Sequence, residues 1–247
     1  MDKILIFGAT SAIAESCCRQ FAIKKKSLFL YGRDKNKLQL MAKDLTIRGA
    51  PKVAFDFFNA EKHKENAKLL VEKADKELIG FDTVILAHGI LPNQQKCQES
   101  IELSQQVIKI NLLSMISYLT ELDNYFKNKK NGTIVVISSV AGDRGRQSNY
   151  IYGTSKGGLS LFCQGLRNKL HKNNINLITI KPGFVNTPMT ANFVHDNFLW
   201  SNPDKIARDI IQAIRNKSSE VYTPWYWYWI MLFITLIPEK YFKRMNI

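Results

Sequence analysis

Cysteine is scarce in this 247-residue chain, and the four present (Cys17, Cys18, Cys97 and Cys163) form no CxxC pair. No zinc or dithiol framework is legible, so no metal is expected. Long hydrophobic runs are also missing. The most apolar stretch, Trp225–Ile237, falls short of the ~20 residues that a membrane-spanning helix needs. Ile4–Phe7 is too short for the core of a secretory leader and runs straight into a glycine turn, so a cytoplasmic protein with reduced thiols is expected. Acidic residues are few, 21 against 35 Lys and Arg, which leaves a formal net charge of +14. The basic residues are scattered and form no arm interleaved with aromatics, which argues against a nucleic-acid partner. An anionic lipid surface or a phosphorylated substrate suits the balance better. No repeat or low-complexity linker interrupts the chain, and with 45% hydrophobic residues it can bury a substantial core.

What is present is an alternation of short apolar runs with helical periodicities. Ile4–Phe7, Leu28–Tyr31, Val53–Phe55, Thr83–Ala87, Thr133–Ser138, Asn176–Ile180 and Glu220–Tyr222 read as strands. Helices are expected from the Gly8 turn through Gln20 and over Lys35–Leu45, Ile101–Phe126, Tyr152–His171 and Pro203–Ile214. Strands joined through helices pair in parallel. The predicted fold is therefore α/β, a single doubly wound (Rossmann) domain over residues 1–224. It holds a parallel sheet of about seven strands with helices on both faces, and an apolar aromatic tail follows over residues 225–247.

Gly8-Ala9-Thr10-Ser11-Ala12-Ile13-Ala14 follows a strand and opens a helix. In that context backbone N–H groups and the helix dipole face a bound pyrophosphate. Gly8 permits the tight turn, and Ala12 and Ala14 are small enough for close approach, although a full fingerprint would carry glycines there. An ordinary strand–helix turn has the same look. Arg33 ends the second strand, where an arginine meets the 2′-phosphate of NADP and an acid would meet the ribose of NAD. The neighbouring Asp34 suits the N-cap of the helix that starts at Lys35, so NADPH/NADP is the expected cofactor.

Tyr152 and Lys156 stand four residues apart at a helix start and so share one face. An ammonium beside a phenol favours the phenolate and lowers a pKa that is otherwise about 10. Such a phenol can protonate a carbonyl oxygen while hydride reaches the carbon. The spacing alone also arises by chance as a solvated pair. Ser139 ends a buried strand upstream, placed to hydrogen-bond a carbonyl. Asn111 puts an amide among apolar helix neighbours, which is disfavoured without a partner.

Taken in order, Gly8–Ala14, Asn111, Ile137–Gly142, Tyr152-x-x-x-Lys156 and Pro182-Gly183-Phe184-Val185-Asn186-Thr187 resemble the short-chain dehydrogenase/reductase family over nearly the whole chain. The resemblance implies an acid/base role for Tyr152 and a carbonyl-orienting hydroxyl at Ser139. It implies that Lys156 holds the nicotinamide ribose and tunes the tyrosine, and that Asn111 anchors a water of the proton relay. It places the cofactor against Gly8, Thr10, Ser11, Ala12, Ile13, Arg33, Ala87, His88, Gly89, Tyr152, Lys156, Pro182, Gly183 and Val185. Thr187 would meet the carboxamide, and Asp56 with Phe57 the adenine. The chain departs from the family at Phe7-Gly8, at Ala12 and Ala14, and at Leu86-Ala87-His88-Gly89. His88 is expected to be a packed histidine near the cofactor and not a participant in the chemistry.

Substrate choice falls to the loops. Pro188–Ser201, with Phe193, Phe198, Leu199 and Trp200, is expected to cover the pocket, although these aromatics equally suit a core or subunit contact. In the tail, Trp and Tyr precede Lys240, Lys243 and Arg244, a pattern suited to the inner face of a membrane or to a neighbouring subunit. The tail and the Gly-Ala-Thr-Ser turn resemble the decaprenylphosphoryl-2-keto-ribose reductase branch, which implies a polyprenyl-phosphate keto-sugar as substrate. The competing readings are a 3-oxoacyl or other lipid-ketone reductase and a non-catalytic NADP-binding interaction protein. The family resemblance also implies a homodimer or tetramer through helices near residues 101–126 and 153–171.

Overall fold

A computed structural model describes residues 2–191 and 198–245. Seven strands, β1 (Lys3–Phe7), β2 (Ser27–Gly32), β3 (Val53–Phe57), β4 (Thr83–Leu86), β5 (Gly132–Ile137), β6 (Ile175–Pro182) and β9 (Glu220–Thr223), form one sheet in the order β3-β2-β1-β4-β5-β6-β9. Every pairing is parallel. The two-residue strands β7 (Phe184–Val185) and β8 (Trp200–Ser201) pair separately beyond β6.

The central strands are continuous apolar runs because both faces of the sheet are covered. Successive side chains point to opposite faces, so the pleat sorts them into two cores. Ile4, Ile6, Leu28, Leu30, Ile178 and Ile180 pack against α1 (Ala12–Ile23), α2 (Lys35–Ile47) and α8 (Pro203–Arg215). Leu5, Phe7, Phe29, Val84, Val136 and Leu177 face α3 (His63–Leu78), α6 (Ser114–Lys129) and α7 (Tyr150–His171). All four cysteines are buried and free, and the described residues hold no cluster of metal-ligating side chains.

One expectation fails in detail. The helix read as Ile101–Phe126 is α5 (Ile101–Ile108), a π-turn over Lys109–Leu113 and then α6, with the short α4 (Gln94–Glu99) before them. A π-turn leaves no mark in composition, which hides it in the sequence, and such turns recur at functional sites. This one carries Asn111.

The tail folds as α9 (Tyr226–Leu236) and α10 (Glu239–Phe242). Trp227 and Met231, one turn apart, are buried in a small third core with Val140, so one face of α9 docks on its own chain. Arg144 holds the other end, donating to the carbonyls of Thr235 (2.8 Å) and Ile237 (2.9 Å) and to Glu239 (2.9 Å). No helix among the described residues is long and apolar enough to cross a membrane.

Candidate active site

The strand order reverses between β1 and β4, and ligands of such sheets settle in the crevice above the strand ends at that point. A cleft of about 720 Å³ lies there. One end is built from backbone. Gly8 has φ +75°, and a Cβ on it would lie 2.6 Å from the backbone nitrogen of His88, so only glycine fits. The N–H groups of Gly8 and Ala9 both bond the carbonyl of Tyr31 (2.9 Å), which fixes the turn against β2. Ser11 caps α1 by accepting from Ala14 N–H (3.4 Å), and the helix N-terminus opens into the cleft beside Thr10, Ala12 and Ile13.

Arg33 is exposed at the mouth of the cleft. Asp34 does cap α2, accepting from Lys37 N–H (2.9 Å). A second, shallower pocket beside it is bordered by Arg33, Asp34, Lys35, Asn36 and Phe57. Neither Asp56 nor Phe57 lines the main cleft. The carboxylate of Asp56 takes Lys73 (2.6 Å) and the N–H of Phe57 (2.7 Å), and the cleft wall there is Phe58–Glu61, just beyond β3.

Ala87, His88 and Gly89 line the floor. His88 is a packed histidine, as expected. Nε2 meets the hydroxyl of Ser114 (2.7 Å), Phe58 lies edge-on to the ring at 5.0 Å, and burial pulls its pKa down to about 3. It stays neutral at any ordinary pH.

Asn111 is fully buried behind this floor and does not line the cleft. Its amide pairs with the backbone of Ile90 in both directions (2.8 Å each) and donates to Ser155 (3.2 Å). A Cβ on Gly89 would sit 3.1 Å from Asn111 Oδ1 and 3.5 Å from Lys156 Nζ, so Gly89 lets these two groups approach each other.

Ser139, Tyr152 and Lys156 line one wall together. The hydroxyl of Ser139 favours the ionised form of Tyr152. Lys156 Nζ donates to the carbonyl of Ile137 (3.0 Å) and stands 5.8 Å from the Tyr152 ring centroid. The expected lowering of the phenol does not occur in the protein alone. Burial pushes Tyr152 up to about 12, partly offset by Ser139, and the same burial brings Lys156 down to about 8. Desolvation dominates the phenol, and the ammonium of Lys156 is turned toward the carbonyl of Ile137.

Pro182, Gly183, Val185 and Thr187 complete the far end with Phe184 and Trp200, whose rings stack at 5.2 Å. Trp227 packs edge-on to Phe184 at 5.0 Å and covers Gly183, where a Cβ would lie 1.9 Å from the indole nitrogen. Of the aromatics expected over the pocket, Trp200 lines it and Phe198 is exposed beside Tyr226, while Phe193 lies outside the described residues. Arg146, Asn149 and Gln94 also line this end. No motif marks them in the sequence, since only the fold brings α4 to the start of α7.

Comparison with known proteins places residues 2–197 under a family model described as short chain dehydrogenase. An uncharacterized oxidoreductase of Mycobacterium tuberculosis is 30% identical over 243 residues, 98% of this chain and 96% of the relative. One from Streptomyces coelicolor is 29% identical over 246 residues, covering 98% and 95%. Among solved structures, a short-chain dehydrogenase from Sphingobium yanoikuyae in complex with NADPH superposes with a TM-score of 0.83 at 20% identity, covering 97% of each chain.

Proposed function

Because the chain belongs to the short-chain dehydrogenase family, we propose that it reduces a ketone with NADPH, with Tyr152 as the proton donor. The reading is carried by one observation: Ser139, Tyr152 and Lys156 share a wall of the cleft that begins at the Gly8 turn. The residues present fit the cofactor. The αL turn at Gly8 and the N-terminus of α1 suit a pyrophosphate, and Ala87–Gly89 and Pro182–Val185, which line the same cleft, would hold the nicotinamide riboside. With Asp34 occupied as a helix cap, Arg33 offers its charge to a 2′-phosphate. The structural relative from Sphingobium holds NADPH, which agrees with this preference.

When bound, the cofactor supplies hydride to the carbonyl carbon. Ser139 donates a hydrogen bond to the carbonyl oxygen and fixes its position. Tyr152 gives its phenolic proton to that oxygen as the alcohol forms, and the nearby ammonium of Lys156 stabilises the resulting phenolate. Asn111 holds Ile90 and Ser155 in place behind Lys156, where the family's proton relay runs.

The substrate proposed is lipid-linked, of the polyprenyl-phosphate keto-sugar type, met at the inner face of a membrane. Support comes from α9, whose docked face leaves Trp225, Trp229, Phe233 and Leu236 exposed along the opposite stripe. Phe198 is exposed beside Tyr226, and Met189 and Trp200 line the cleft. Lys240, Lys243 and Arg244 follow and suit anionic head groups. Residues 1–224 then act as the catalytic domain and 225–247 as the membrane-surface element. A homodimer or tetramer is proposed through α5, α6 and α7, where Ile101, Leu113 and Leu161 are exposed.

Two measurements test this reading. Purified protein should oxidise NADPH in preference to NADH with a lipid-linked keto-sugar. It should also float with vesicles of phosphatidylglycerol but not of phosphatidylcholine alone. Absence of NADPH oxidation across a ketone panel would defeat the reductase assignment. Flotation unchanged by serine at Trp225, Trp229 and Phe233 would defeat the membrane surface in favour of a subunit contact.

A further inference from the structure

At the substrate end of the cleft, three buried polar atoms have no hydrogen-bond partner among the described residues: Arg146 Nε, Gln94 Nε2 and Asn149 Oδ1. All three side chains line the cleft beside Ser139 and Tyr152. Leaving such groups buried and unpaired costs about as much as losing a hydrogen bond each, so each of the three has capacity for a further partner.

Two of the side chains are held in place by another bond. Gln94 Oε1 accepts from the N–H of Ile151 (3.1 Å), next to Tyr152. Arg146 is anchored by one terminal nitrogen on the carbonyl of Val140 (3.3 Å), the residue after Ser139. Asn149 precedes α7, and its backbone carbonyl takes the N–H of Gly153 (2.8 Å).

The charge balance is equally specific. Asp143 is the carboxylate whose charge supports that of Arg146. It is already engaged by the buried Lys181 (2.8 Å) and by the hydroxyl of Tyr222 (2.9 Å). Arg146 thus lines the cleft and shares its supporting carboxylate with a second cation. The N-terminus of α7, a 22-residue helix, adds positive potential to the same corner.

Resting on the reductase reading above, we propose that Arg146 and Gln94 bind an anionic oxygen group of the substrate, and that Asn149 accepts from one of its hydroxyls. The substrate class is then an anionic, hydroxyl-bearing ketone. Its phosphoryl or carboxylate group sits on the far side of the reacting carbonyl from the nicotinamide. Arginine suits this role because its fork stays charged when desolvated and matches either group.

Two pairs of probes test the subsite: dihydroxyacetone phosphate against dihydroxyacetone, and acetoacetate against methyl acetoacetate. For the wild type, kcat/KM should favour the charged member, and the pair with the larger ratio identifies phosphoryl or carboxylate as the preferred group. Arg146→Gln should cut that ratio ~10- to 100-fold, acting mainly through KM, and Arg146→Lys should restore part of it. Gln94→Glu keeps the acceptor for Ile151 and replaces the donor by a charge, so it should reduce the ratio as well. Asn149→Leu should weaken dihydroxyacetone phosphate more than acetoacetate. Calorimetric titration of the protein with NADP+ bound reads the same preference without turnover. Charge-selective binding without any turnover would overturn the reductase reading and leave the subsite standing. A wild type indifferent to charge, or a ratio that survives Arg146→Gln, would overturn the subsite.

Discussion

Gly8 and Ala87–His88 meet backbone to backbone at one end of the cleft, whereas side chains wall the other: Phe184 and Trp200 stacked, backed by Trp227, with Arg146 and Gln94 also in the lining. The first arrangement leaves almost no room for change, since a single methyl at Gly8 meets main chain. The second is assembled from an appended helix and from loops, and a methyl at Gly183 first meets a side chain, the Trp227 indole. In the function proposed, the rigid end would hold a cofactor shared by many enzymes, and the end whose side chains can be exchanged without disturbing the sheet would hold the substrate particular to this one.

The sharpest way to break that comparison is to add the same methyl at each end. Gly8→Ala combines a left-handed φ with a main-chain clash and should cost roughly 2–4 kcal/mol in denaturant unfolding, with NADPH binding lost. Gly183→Ala should leave global unfolding nearly unchanged while releasing Trp227, seen as a red shift of tryptophan emission and faster proteolysis near α9. Equal global losses would remove the distinction.

Smaller in effect, Arg33→Ser should reduce the preference for NADPH over NADH ~10- to 100-fold, read from the two kcat/KM values. It should leave the charged-to-neutral substrate ratio intact, whereas Arg146→Gln should do the reverse. A variant that moved both would mean the two ends are not separable.

The smallest effect is one of pH. Burial lowers Lys156 to about 8, so its ammonium is present below that pH and lost above it. Since the ammonium stabilises the phenolate that forms, kcat/KM for reduction should be level below pH 8 and fall at higher pH, toward tenfold per unit. A profile level to pH 10 would show that Lys156 keeps its proton or plays no such part.

The same division governs what the sequence reveals. All seven sheet strands are visible, because buried parallel strands are apolar runs bounded by turns, and the cap at Asp34 follows from its place before a helix. Tyr152, Lys156 and Ser139 are legible because helix spacing and a strand end put them together. The π-turn at Asn111 is not, since it alters the hydrogen-bond register without altering composition. Arg146 and Gln94 are not legible either, being distant in the chain and joined only by the packing of α4 against α7. The raised phenol of Tyr152 escapes the sequence too, because four-residue spacing shows the ammonium but not the burial that outweighs it.

The central claim is proton donation by Tyr152, and isotope transfer from NADPH labelled with deuterium at the reactive C4 position tests it most directly. With a ketone substrate, mass spectrometry should find one deuterium on the carbinol carbon of the product. Tyr152→Phe should bind NADPH with wild-type affinity yet form labelled alcohol ~10²- to 10⁴-fold more slowly. Labelled alcohol formed by Tyr152→Phe at the wild-type rate would contradict the account.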